Sequence, residues 1–144
     1  TPLYSSAASD VYKRQVVTLW RLPGKVHHND PLTLTELWRM VMIFGPALGR
    51  ADTVGKHLAR HVPAGEDHLY LRYAAVRPEA QGKGWGGRAI RAGIAEANRL
   101  GVDTCLETAK PGNVAIYQRL GFGIVDEWQV PAGPRFWTMV RPQD

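Results

Sequence analysis

Gln81-Gly82-Lys83-Gly84-Trp85-Gly86-Gly87 is the stretch on which the fold of this chain turns. Four of the six residues from position 82 to 87 are glycine. Without Cβ atoms a backbone can come close to a ligand, several N–H groups can point into one concavity, and the dipole of a following helix adds partial positive charge there. A plain turn does not require so many glycines, each of which raises the entropy lost on folding. The stretch therefore reads as a cradle for a pyrophosphate.

Working outward, the cradle opens a helix that runs to Leu100 with Ile90, Ile94 and Ala97 as its apolar stripe and Gly101 as its C-cap. Before it lie Arg77-Pro78-Glu79-Ala80 and an alternating strand over 68–76. After it come a strand over 103–109, a short helix over 112–120 closed by Gly121, and strands over 122–130 and 135–141. The last two are joined as a hairpin by Pro131-Ala132-Gly133-Pro134. On the N-terminal side, β-branched and aromatic residues predict a strand over 16–22, stopped by Pro23-Gly24. Residues 25–31 are polar. Thr33 or Thr35 can then cap a helix over 34–44 with Leu34, Leu37, Trp38, Val41 and Met42 at helical spacing, ended by Gly45-Pro46. A weaker helix over 47–61 leads to the turn Pro63-Ala64-Gly65. Residues 1–15 show neither periodicity nor turn logic and read as a non-native, adaptor-like leader, which leaves 16–144 as the domain.

The 144 residues, 44% hydrophobic and 22% charged, suit one domain with one core. No apolar run approaches the ~18 residues of a membrane span. The single cysteine, Cys105, cannot form an internal disulfide, and no secretory leader is visible, so the cytoplasm is the expected compartment. The net charge of +5 comes from scattered Lys and Arg with no basic stripe. That argues against a nucleic-acid partner and for a positive field that attracts an anionic cofactor.

Two phosphate-binding arrangements compete for the loop. Gly82, Gly84 and Gly87 satisfy G-x-G-x-x-G, with Glu107 about 20 residues further on, as a dinucleotide-binding unit would want. Against NAD stand the long spacer from Arg77 to Gln81, the charge within strand 68–76, and too little following chain for a doubly wound sheet. Read instead as Gln-x-x-Gly-x-Gly, residues 81–86 preceded by Val76-Arg77-Pro78 resemble the acetyl-CoA pyrophosphate motif of the GNAT superfamily of N-acetyltransferases. Asn113-Val114-Ala115-Ile116-Tyr117-Gln118-Arg119-Leu120-Gly121-Phe122 resembles, in shortened form, the same family's Asn-to-Gly-Phe region. The chain is similar above all to the puromycin N-acetyltransferase branch, through Ala75-Val76-Arg77-Pro78, Leu106-Glu107-Thr108, and Val130-Pro131-Ala132-Gly133-Pro134-Arg135 with Trp137 and Met139.

The resemblance implies an α/β GNAT fold, a mixed, mostly antiparallel sheet flanked by helices, with the family's first strand or strands and helices lacking ahead of Val16. It implies acetyl-CoA as co-substrate and acetyl transfer to the primary amine of a small molecule by direct attack. The cofactor would be held by Ala74, Ala75, Val76, Gln81, Gly82, Lys83, Gly84, Trp85, Gly86, Gly87, Asn113 and Tyr117. Ala74 and Val76 would pair with the pantetheine arm as an added strand. Tyr117, on one helix face with Asn113, is the candidate acid for the departing thiolate. Glu107 could accept the amine's proton, or else anchor substrate. An inactive CoA-binding module, a peptide N-terminal acetyltransferase and a basic interaction domain are the alternatives. An open sheet edge could support self-association as a homodimer.

Other residues carry blander expectations. His57 and His61 have i, i+4 spacing, but the Leu-Ala-Arg between them lacks a hydrolase glutamate, so both read as exposed helix positions with no metal. Cys105 reads as a buried small hydrophobe. Trp20, Trp38 and Trp128 read as core or pocket walls.

Overall fold

The computed structural model describes residues 15–25, 33–63 and 67–144. Along the chain run β1 (Val16–Arg21), α1 (Leu34–Phe44), α2 (Leu48–His61), β2 (His68–Val76), α3 (Trp85–Leu100), β3 (Asp103–Thr108), α4 (Pro111–Gln118), β4 (Gly123–Gln129) and β5 (Arg135–Arg141). Single 3₁₀ turns occupy Gly45–Ala47 and Pro78–Ala80. The five strands form one sheet in the order β1-β2-β3-β5-β4. β2 and β3 are parallel, as a β2-α3-β3 crossover requires, and the other neighbours are antiparallel. This is the mixed, mostly antiparallel sheet flanked by helices expected from the sequence.

The strand period of two sorts side chains onto the two faces. Leu71, Leu106 and Met139 stand opposite one another across β2, β3 and β5. With Ile90 and Ile94 of α3, Leu120 and Phe122 they form the main core, joined by Trp20, Val114, Tyr117 and Trp137. The other face presents Tyr70, Cys105 and Val140 in one row and Glu107 beside Thr138 in the next. There α2 lies over the β4-β5 hairpin. His61 stacks on Trp128 at 4.3 Å, and Trp128 stacks on Phe136 at 4.6 Å.

Local rules set most boundaries. Gly101 closes α3 at φ 68°, a conformation that glycine adopts without penalty. After α4 the N–H groups of Leu120 and Phe122 both return to the Tyr117 carbonyl, and Gly121 turns the chain at φ 91°. That ends the helix at Gln118 rather than at the expected 120. The expected strands over 16–22, 103–109 and 122–130 are likewise one or two residues shorter, and the helix expected from 47 begins at Leu48 after its 3₁₀ turn.

Trp38 corrects the reading of that residue as core or pocket wall. It is 68% exposed, and Leu34, Val41 and Met42 are exposed with it. α1 packs along α2 and the 3₁₀ turn. A helical stripe identifies a helix but does not bring it to the sheet. Trp20 and Trp128 do sit in packed positions, and Cys105 is fully buried. Residues 1–14 of the expected leader, residues 26–31, Ala64-Gly65 and the Leu37 side chain lie outside the described residues. Gln15, the last of that leader, extends the β1 ladder by accepting the Arg77 N–H at 2.9 Å.

Candidate active site

Two strands that begin side by side part company at the middle of the sheet. β2 and β3 pair from His68 with Asp103 to Leu71 with Leu106 and no further, although β2 continues to Val76 and β3 to Thr108. Beyond the parting, Arg72, Tyr73, Ala74 and Ala75 are all exposed. β1 stays paired with β2 along this stretch, so only the β3 side of β2 is open. The Arg77 N–H points to β1, where it meets Gln15. Strand alternation then turns the N–H groups of Val76 and Ala74 the other way, into the gap.

The glycine loop stands at the wide end of this gap. Gly82 and Gly84 have φ of 73° and 78°, and a Cβ at either would meet nothing within 4 Å, so these glycines answer a backbone demand and border open space. The Gln81 amide donates to the Val76 carbonyl at 3.1 Å and the Lys83 ammonium to the Glu79 carbonyl at 2.9 Å, which ties the loop to the end of β2. Gly84 is the N-cap of α3 and offers no side-chain cap. The first-turn N–H groups at Trp85, Gly86 and Gly87 have no intrahelical acceptor and are left for a ligand. Gly86 also lets α3 approach the sheet, since a Cβ there would lie 3.2 Å from Val76 Cγ2. An open strand edge, an uncapped helix terminus and glycines facing open space fit a thioester cofactor with a pyrophosphate. Among the described residues no group of three or more His, Cys, Asp or Glu is placed to hold a metal.

Glu107 is the first residue of β3 past the parting. Its Oε2 accepts a short hydrogen bond from the Tyr70 hydroxyl, while its buried Oε1 has no hydrogen-bond partner among the described residues. Burial raises the carboxyl to about 7, against the opposing effects of the Tyr70 hydrogen bond and of His61. The Tyr70 phenol is pushed up by its own burial and by the neighbouring Glu107 charge, so the shared proton stays on tyrosine. His61 is no exposed helix position. It is half-buried, and its Nδ1 bonds Asp126 Oδ2 at 2.7 Å. His57 is half-buried too, donating to the Thr53 carbonyl and stacking on Trp128 at 6.5 Å. These corrections share one cause, the docking of α2 on the hairpin, which helical spacing does not reveal.

Tyr117 stands on the other face, in α4, edge-on to Phe122 with ring centroids 6.0 Å apart. Burial pushes its phenol up, so it is protonated at neutral pH. Asn113 lies one turn earlier, half-buried. Glu107 and Tyr117 thus lie on opposite faces of the sheet, Tyr117 packed against the core that holds Leu71 and Leu106. The sequence singles out these two and the loop as candidates. It misses Tyr70, His61 and Asp126, whose places depend on strand register and helix docking.

The model of the Acetyltransferase (GNAT) family matches residues 18–122. Among solved structures, one described as histone acetyltransferase HPA2 and related acetyltransferase from Corynebacterium glutamicum is 28% identical at a TM-score of 0.61, covering 90% of this chain and 57% of that one. A nourseothricin acetyltransferase shares the fold at 20% identity and a TM-score of 0.50, over 58% of this chain and 54% of its own. The ribosomal-protein-S18-alanine N-acetyltransferase from Escherichia coli is 26% identical at a TM-score of 0.47, over 53% and 54%. The chain spans just over half the length of these structures.

Proposed function

This chain belongs to the GNAT acetyltransferase family, and from that premise we propose that it transfers an acetyl group from acetyl-CoA to the primary amine of a small molecule by direct attack. The observation that carries the reading is the parting of β2 and β3 after Leu71 and Leu106, with Glu107 at its apex and the uncapped N-terminus of α3 at its mouth. The functional domain in this reading is 16–144. The small-molecule class rests on the stretches similar to the puromycin N-acetyltransferase branch. A peptide amine is the competing substrate, and the C. glutamicum neighbour is described as a histone acetyltransferase and related acetyltransferase.

Bound acetyl-CoA supplies an electrophilic thioester carbonyl and a thiolate leaving group. The N–H groups of residues 82–87, in the loop and first turn of α3, hold the pyrophosphate with Lys83 nearby, and the open edge of β2 at Ala74, Ala75 and Val76 holds the pantetheine arm, helped by Asn113. In this reading groups from both faces of the sheet meet at one carbonyl. Glu107 Oε1 takes a proton from the substrate ammonium, freeing the nitrogen lone pair to attack. A free N–H at Ala74 or Val76 stabilises the charge that develops on the carbonyl oxygen. As the carbon–sulfur bond breaks, Tyr117 gives its phenolic proton to the sulfur. The attacking nitrogen gives up its second proton to solvent as the amide forms, and solvent then returns a proton to Tyr117 and removes one from Glu107.

The test has two parts. Acetyl-CoA, and not NAD, should raise the melting temperature, and Gly86→Val should remove the shift by crowding Val76 and covering the first-turn N–H groups. A panel of small primary amines and peptides with free N-termini is then assayed for acetylation. Binding without turnover on any amine would support the inactive CoA-binding module, and a shift with NAD alone would reject the reading altogether.

A further inference from the structure

The hydrogen bond between β2 and Glu107 is not needed to hold the sheet together at that point, because the strands are already separating. Tyr70 is the last residue of β2 on this face before the parting, opposite Cys105, and Glu107 lies one step along the same face of β3. The two residues are diagonal neighbours on a parallel pair, within reach only of a long side chain on each. A carboxylate on a strand end can turn about three side-chain bonds. Here one of its oxygens is tied to a neighbouring strand, and the other is buried and open.

We propose that Tyr70 is a positioning residue: its phenol, donating to Glu107 Oε2, fixes the rotation of the carboxylate so that Oε1 is the atom presented to the amine. The proposal rests on the reading of Glu107 as the proton acceptor. A half-buried phenol gains by finding a hydrogen-bond partner, and a half-buried carboxylate by finding a donor, so each residue accounts for the other. The groups facing the pair are Arg72 beside Tyr70 on β2, Cys105 between them on β3, and His61 from α2, itself held by Asp126 of β4. Of these, Tyr70 alone makes a hydrogen bond to Glu107. Its donation favours the charged carboxylate, so its removal leaves Glu107 both less fixed and harder to ionise.

The experiment is a titration of the ligand-free protein with ¹³C-labelled glutamate carboxyls, the Glu107 resonance being assigned by its loss in Glu107→Gln. In Tyr70→Phe the Glu107 midpoint should move to higher pH by about one unit. On an acetylated amine, the acid limb of kcat/KM should move in the same direction and plateau kcat should fall by roughly tenfold from lost orientation, with KM for acetyl-CoA unchanged. Should Tyr70→Phe fold poorly, fluorotyrosine placed at position 70 keeps the ring and strengthens the donor, and the Glu107 midpoint should then fall. An unmoved midpoint in either soluble variant, or an unchanged plateau kcat in Tyr70→Phe, overturns the role of Tyr70. A Glu107→Gln protein that keeps the parent acid limb overturns instead the reading of Glu107, whatever Tyr70 does.

Discussion

Gly93 sits in the middle of α3 where the helix crosses β1, and replacing it by alanine tests how closely helix and sheet must approach. A Cβ at this position would lie 2.1 Å from Cζ2, 2.2 Å from Cε2 and 2.8 Å from Cη2 of Trp20. Carbon atoms pack at about 3.5–4.0 Å, so the indole or the helix must move by about 1.5 Å. Helix propensity alone would favour alanine by about 1 kcal/mol. Overpacking a core contact typically destabilises by about 1–3 kcal/mol, and the depth of this overlap points to the upper end. The net expectation is a loss of about 1–2 kcal/mol, a fall in Tm of roughly 3–8 °C for a chain of this size. Urea denaturation of Gly93→Ala measures it, and a double-mutant cycle with Trp20→Ala isolates the cause. In the Trp20→Ala background the same glycine substitution should be neutral or stabilising, because the atoms it strikes are gone. A Gly93→Ala protein as stable as the parent with Trp20 in place would refute the close approach of α3 to β1.

Two further outcomes follow from the acid and base assigned to the reaction. Tyr117→Phe should lower turnover by ~10²–10⁴ while acetyl-CoA binding, followed by calorimetry, changes little; unchanged turnover would remove Tyr117 from the chemistry. The pH dependence of stability tests the burial of Glu107, whose carboxyl is raised from 4.5 to about 7 on folding. A folded pKa above the unfolded one means that the folded state binds the proton more tightly. The stability linked to the protonated form is therefore complete below about 4.5 and lost as pH rises through about 7, on the order of 3 kcal/mol. Glu107→Gln should flatten that part of the urea-midpoint profile between pH 4.5 and 7, and a difference profile that is already flat would contradict the burial.

Much of the candidate site was legible because its demands are local. The spacing of the glycines at 82 and 84 predicts a ligand-facing turn, and both carry the left-handed φ and the open surroundings that such a turn requires. Ile90, Ile94 and Ala97 recur at helical spacing as the apolar stripe of α3, and all three are buried. The apolar spacing over 34–44 predicts the helix that forms there, yet Trp38 within it is exposed. Periodicity reports which residues share a face, and it is silent on what that face meets. The same limit hides the place of His61, since its partners Asp126 and Trp128 come from a hairpin far along the chain.

The sequence by itself determined the elements, their order, and the glycine-built loop at the head of α3, because helix stops, turns and strand alternation are governed by residues within a few positions of one another. Tertiary structure alone decided that Tyr70 tethers Glu107 across 37 residues and that His61 meets Asp126 across 65. The physical reason lies in register and docking. Alternation fixes the face on which a side chain stands, whereas its partner depends on how far one strand slides along the next and where a helix comes to rest, and both are settled by the packing of the whole sheet.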